Sequence, residues 1–151
     1  MTNPDSPTCA RCRTHQCRGG ADCEGLAEAH RGLYEDAERA RLHRAASAVE
    51  ARHYCREPRL AELIHFAREM GFRRLGLAFC VGLAEEARAI DEVLAPHFDV
   101  VSVCCKISGI PKRELGLEQI RSEEPVEVMC NPLGQAEVLN EAGTDLNVLC
   151  G

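Results

Sequence analysis

From residue 72 onward, short apolar runs alternate with stretches whose apolar residues recur at helical spacing. Leu75 to Val81 reads as a buried strand with Gly82 as the turn after it. Leu83 to Leu94 carries Ala87, Ile90 and Leu94 on one face and predicts a helix, and Phe98 to Cys105 predicts the next strand. Between Lys106 and Pro125 the pattern weakens, because Gly109, Pro111 and Gly116 break any long element; Val126 to Met129 then reads as a short strand. Asn131 is a good N-cap, Pro132 a good first helical residue and Gly143 a good stop, so a helix is expected from Asn131 to Ala142. Leu146 to Cys150 completes the series as a last strand. Strands separated by helices of this length imply right-handed crossovers and a mainly parallel sheet.

Upstream the pattern changes twice. Residues 1–25 are rich in Pro, Gly and Cys and show neither a helical nor a strand period, so this segment needs something to order it. From Leu26 to about Tyr54 the chain is rich in Ala, Glu and Arg, with a thin stripe at Leu42, Ala45, Ala46, Val49 and His53 that fits one or two amphipathic helices. A better-marked helix runs from about Pro58 to Met70, with Leu60, Leu63, Ile64 and Ala67 as its stripe and Gly71 as its end. The expected architecture is α/β. A cysteine-rich segment (1–25) and a helical segment (26–71) precede an α/β domain (72–151) built on a small, mainly parallel sheet of three to four strands with flanking helices.

Composition narrows the function. A chain of 151 residues can bury a core without disulfide staples, so its ten cysteines are not needed for folding. The start, Met-Thr-Asn-Pro-Asp-Ser-Pro, has no basic or apolar leader character, and no stretch approaches the roughly 18 apolar residues of a membrane span. A cytoplasmic location is the expectation, and there clustered cysteines are metal ligands or redox groups more often than bridges. The net charge of −6, with arginines scattered among acids, argues against a nucleic-acid footprint, and the scarcity of aromatic residues argues against base stacking.

The candidate chemistry lies in two sets of thiols. Cys9, Cys12, Cys17 and Cys23 are spaced C-x2-C-x4-C-x5-C, close enough to wrap one zinc ion or one iron-sulfur cluster, with His15 as a substitute ligand. The spacing matches neither the usual ferredoxin nor the common zinc-ribbon pattern, so the metal stays open. The second set comprises Cys80, Cys104, Cys105, Cys130 and Cys150, all at predicted element ends, and carboxyl ends of parallel strands are where open α/β sheets bind ligands. Cys130 precedes a helix N-terminus, whose dipole favours a thiolate, and Lys106 beside Cys105 offers further positive charge. Cys104 and Cys105 are adjacent, so on a strand they point to opposite faces. Cys55 matches no pattern and reads as packing, and Gln135 and Asn140 read as helix-surface residues. The histidines form no HxxxH or HExxH pattern.

Four blocks occur in order: Ala78-Phe79-Cys80-Val81-Gly82-Leu83, Ser102-Val103-Cys104-Cys105-Lys106, Met129-Cys130-Asn131-Pro132-Leu133-Gly134-Gln135-Ala136, and the stretch from Leu139 to Asn147. Together they resemble an uncharacterised family of cysteine-rich proteins of anaerobic bacteria and archaea, described as predicted metal-binding proteins. The resemblance runs from Cys9 onward and implies a metal or iron-sulfur site but no substrate. It carries over Cys9, Cys12 and Cys17 in the first set and Cys80, Cys104, Cys105 and Cys130 in the second, with Cys23 fitting loosely. It also implies that family members continue past Gly151 into a further cysteine-containing turn and strand, and that Cys150 occupies a position that is usually apolar.

The expectation is therefore a metalloprotein holding an iron-sulfur cluster, 4Fe-4S favoured by the anaerobic relatives, or zinc. The rival is a thiol-based redox or sulfur-transfer enzyme that meets a small molecule or redox partner, with Cys130 as nucleophile, Cys104 or Cys105 as resolving thiol and Lys106 in support. A metal-sensing or delivery module ranks last.

Overall fold

The computed structural model describes residues 7–151. The chain forms two compact units that divide between Arg44 and Ala45.

In the first unit, short 3-10 turns at Cys9–Arg11 and Gln16–Gly19 lead to helix α1 (Ala27–Gly32) and the start of α2 (Ala37–His53). No described residue before Ala45 is buried. Local polar contacts shape it instead. The Asp22 carboxylate accepts from the backbone N–H groups of Leu26 (3.0 Å) and Ala27 (2.9 Å) at the head of α1, which holds its carboxyl below the usual range. The Asp36 carboxylate accepts from the Arg39 N–H at the head of α2, at 2.9 Å.

The second unit contains α3 (Arg59–Glu69), β1 (Arg74–Phe79), α4 (Ala84–Leu94), β2 (Asp99–Cys104), α5 (Pro132–Glu141) and β3 (Leu146–Cys150). The three strands form one parallel sheet in the order β2-β1-β3, with Leu75 beside Val100 on one side and Leu146 on the other. Alternation sends Leu75 and Leu77, both essentially inaccessible, to one face of β1. Leu75 packs there with Ile64 and Ala67 of α3, Leu94 of α4, and Phe98. The helical stretch around α3 thus shares its core with the sheet.

Gly76 faces the other way, toward α5. A β-carbon on it would collide with Asn147 Oδ1 and stand 3.0 Å from both methyls of Leu139, so only glycine lets α5 approach this closely. Helices on both faces, with β1 in the middle, are what two right-handed crossovers in opposite directions produce.

The amino edge of the sheet is clamped by charge. Asp145 accepts from the backbone N–H groups of Arg73 (2.7 Å) and Arg74 (2.9 Å), while the Arg74 side chain reaches Asp99 (2.6 Å) and the carbonyl of Ala142 (2.8 Å). The expected helices end where left-handed glycines allow it, at Gly71 (φ 71°) and Gly143 (φ 65°).

Two sequence expectations are corrected. Val126 to Met129 adds no fourth strand: Val128 makes an isolated antiparallel bridge to Pro111, and the hairpin-like pair is held by Lys112 N–H to the Glu127 carbonyl (2.8 Å) and Met129 N–H to the Ile110 carbonyl (3.0 Å). Prolines 111 and 125 remove the donors a longer ladder needs. Cys55 does not pack; it is exposed, in the left-handed region (φ 54°), in the turn between α2 and α3. Among the described residues no helix is long and apolar enough to cross a membrane.

Gly76→Ala should destabilise the second unit by about 1–3 kcal/mol, because the new methyl displaces Asn147 from its hydrogen bond with Thr144 (2.8 Å) and presses on Leu139. Urea denaturation followed by circular dichroism measures this; an unchanged midpoint would mean that α5 has slack to withdraw.

Candidate functional site

The first thiol set is built from turns. The 3-10 turn at Cys9–Arg11 closes with the Cys12 N–H on the Cys9 carbonyl (3.1 Å), and the chain then bends back so that the His15 N–H donates to Cys12 Sγ at 3.4 Å. His15 itself takes a left-handed conformation (φ 46°), and Gly20 (φ 92°) turns the chain again after Cys17. The His15 N–H, helped by Thr14, lowers the Cys12 thiol below its ordinary range, as a backbone donor aimed at sulfur does. Cys23 Sγ lies 3.8 Å from the Ala21 carbonyl. All four thiols are exposed, unbridged, and line one cavity of about 500 Å³ together with His15 and His30. His30, on α1, was not singled out from the sequence.

The second set gathers at the carboxyl edge of the sheet. Backbone hydrogen bonds continue past the strand ends: Cys80 N–H to the Cys150 carbonyl (2.9 Å), Cys105 N–H to the Phe79 carbonyl (2.8 Å), and Asn131 N–H to the Cys105 carbonyl (2.7 Å). Asn131 caps α5 as expected, its side chain accepting from the Gly134 N–H at 2.8 Å.

This network sets the positions of the thiols. β2 ends at Cys104, so Cys105 lies already in the turn, and the two adjacent side chains are not held to opposite faces of a strand. Cys105 is buried, and its sulfur accepts from the Val81 N–H at 3.3 Å. Burial, and then the neighbouring Cys130 and Cys104 thiols, push the Cys105 thiol up, against the pull of the Val81 N–H. Cys104 Sγ accepts from the Lys106 N–H at 3.4 Å. Cys80 and Cys130 are exposed, and Cys150 is half-buried.

Lys106, expected beside the thiols, and Gln135, read from the sequence as a helix-surface residue, hold this edge together. Lys106 is half-buried, and its ammonium donates to the Val128 carbonyl (2.7 Å) and to Cys130 Sγ (3.5 Å). The Gln135 side-chain amide donates to the carbonyls of Phe79 (3.1 Å) and Val103 (2.9 Å), which ties α5 to the ends of β1 and β2. Asn140 is exposed, as expected.

A third group went unread. Among the described residues, His53, Glu57 and His65 form the group of three metal-capable side chains whose donor atoms all lie within 4.8 Å of one another. The thiols of neither cysteine set are drawn together as tightly. Its signal in the sequence is the His53-x3-Glu57 spacing, which is not a paired-histidine motif.

A small α/β unit whose parallel strands deliver cysteines to one edge, joined to a cysteine-lined turn segment, is the class that the fold and site define. The chain belongs to the family described as Protein of unknown function (DUF1847), which it matches over residues 19–151. It is 40% identical over 144 residues to an uncharacterized protein of Methanocaldococcus jannaschii, MJ0455, covering 95% of this chain and 74% of that relative. The family match takes in Cys23 and the whole sheet-edge set and begins beyond Cys9, Cys12 and Cys17. No solved structure matches the chain.

In reduced, metal-free protein near neutral pH, Cys12 should alkylate well before Cys105. A lowered pKa gives Cys12 more thiolate at that pH, whereas the raised pKa and burial of Cys105 postpone its thiolate to alkaline solution. Peptide mapping after timed iodoacetamide exposure reads the order; equal rates would contradict it.

Proposed function

We propose that this protein is a metalloprotein whose cysteine thiolates hold an iron-sulfur cluster, of the 4Fe-4S type, or a zinc ion. The sheet-edge cysteines Cys80, Cys104, Cys105 and Cys130 form one site, and Cys9, Cys12, Cys17 and Cys23 form another. The observation that carries this reading is that all four cysteines of the first set face a single cavity of about 500 Å³. Chance placement along an exposed, turn-rich segment gives no reason for four thiols to share one concavity. Thiols spread around a cavity suit a cluster, whose ligands bind separate irons, better than a single ion that needs every sulfur on one point.

The fit at the sheet edge rests on the donor set. Sulfur ligands with N–H groups aimed at them, as Val81 is at Cys105 and Lys106 at Cys104, receive the kind of surrounding hydrogen bond that tunes thiolate centres. Bound there, a cluster would supply one-electron chemistry and zinc would supply Lewis acidity.

One observation favours a second reading, a thiol redox or sulfur-transfer enzyme. The Lys106 ammonium lies 3.5 Å from Cys130 Sγ, and Cys130 is among the neighbours that push the Cys105 thiol up. In that reaction the Cys130 thiolate attacks a disulfide of a redox partner and releases one partner thiolate. Cys105 then gives up its proton and attacks Cys130 sulfur, releasing the second partner thiol and leaving a Cys105–Cys130 disulfide.

Protein purified without oxygen should carry iron, acid-labile sulfide and a broad visible absorption, or else stoichiometric zinc. Cys9→Ser should remove the metal of one site, and Cys80→Ser or Cys130→Ser that of the other. Protein free of iron, sulfide and zinc, with Cys130 alkylating far faster than the other thiols, would replace the metal reading with the redox one.

A further inference from the structure

The turn between α2 and α3 brings together three side chains that neither thiol site uses. His53 is the last residue of α2, and the chain folds back at once: the N–H groups of Arg56 (2.8 Å) and Glu57 (3.3 Å) both donate to the His53 carbonyl, and Cys55 takes φ 54°. Pro58 is extended and opens α3, which places His65 across from His53. The Glu57 carboxylate bridges one nitrogen of each ring, with Oε1 3.1 Å from His53 Nδ1 and Oε2 2.8 Å from His65 Nε2. The rings are stacked, with centroids 4.2 Å apart and planes 9° from parallel.

We propose that His53, Glu57 and His65 bind a single divalent first-row metal ion of the zinc or ferrous-iron class. The donor set is two imidazole nitrogens and one carboxylate, and all three ligand atoms lie within 4.8 Å of one another. That is the composition of three-ligand sites which leave positions open for water or a small oxygen ligand. One nitrogen of each ring already meets the shared carboxylate, so a metal ion that replaces those two hydrogen bonds finds its three ligand atoms gathered, and a turn of one ring brings both lone pairs onto it. His53 Nδ1 and His65 Nε2 are the ligating atoms, and the opposite nitrogen of each ring carries the proton. The site involves none of the cysteines, and no heptad or paired-histidine motif announces it.

Cobalt(II) titration of the reduced, metal-free full chain separates the two kinds of donor. Thiolate sites give intense near-ultraviolet sulfur-to-cobalt bands, and a nitrogen–oxygen site gives only weak visible ones. The unaltered chain should bind about one more cobalt ion than the His53→Ala/His65→Ala double variant, with equal near-ultraviolet intensity in both. Equal stoichiometry overturns the proposal. Failure of the sulfur bands in both chains would sink the thiolate reading and leave this one untouched. Should the double variant lose its helical circular dichroism, the unaltered chain decides: zinc added beyond thiolate saturation should shift His53 Nδ1 and His65 Nε2 in long-range nitrogen–proton spectra. Ring resonances that stay in place refute the site.

Discussion

Parallel pairing of β1 with a strand on each side is the constraint from which the rest follows. Because β2 and β3 both run in the direction of β1, all three carboxyl ends open at one edge, and the sequence places a cysteine at each: Cys80 just past β1, Cys104 and Cys105 around the end of β2, and Cys150 at the end of β3. The helices that make parallel pairing possible also complete the edge. α5 crosses the face opened by Gly76, is capped by Asn131, and so delivers Cys130 to the same rim, with Gln135 reaching the carbonyls of Phe79 and Val103. The opposite edge is closed by Asp145, Arg74 and Asp99. Charge therefore holds the amino end while the thiols are left free at the other.

The two thiol sets stand on different foundations. The sheet-edge sulfurs hang on backbone that is hydrogen-bonded beyond the strand ends and backed by Leu75, Leu77 and Leu94, so that edge is organised by the protein's own core. The segment carrying Cys9 to Cys23 has no buried residue, and its turns rest on local backbone hydrogen bonds. Burial cannot pay for ordering such a segment, and a metal bound by its four thiolates is the source of free energy that could. On this account one site needs the metal for shape and the other offers a shape to the metal.

Periodicity and capping chemistry carried the fold in the sequence. The apolar run at Leu75 to Val81, the stripe of Ala87, Ile90 and Leu94, and the Asn131-Pro132 helix start all mark their elements, because a buried parallel strand and a capped helix are local patterns. Val126 to Met129 looked like a strand for the same local reason, but pairing is decided by the neighbours, and Pro111 and Pro125 confine it to a single bridge. Side chains with tertiary work were the least legible. Gln135 and the His53–Glu57–His65 group take their roles from partners many residues away or across a turn, and residue type alone does not reveal such partners. Cys55 reads as packing because it matches no ligand pattern; a left-handed turn instead leaves it exposed.

Placement of thiols around one cavity and along one sheet edge makes sulfur ligation the central claim. X-ray absorption at the edge of whichever metal accompanies the protein, isolated without oxygen, measures that ligation directly. A first shell dominated by sulfur at about 2.3 Å is the predicted result. A first shell of nitrogen and oxygen without sulfur would contradict it.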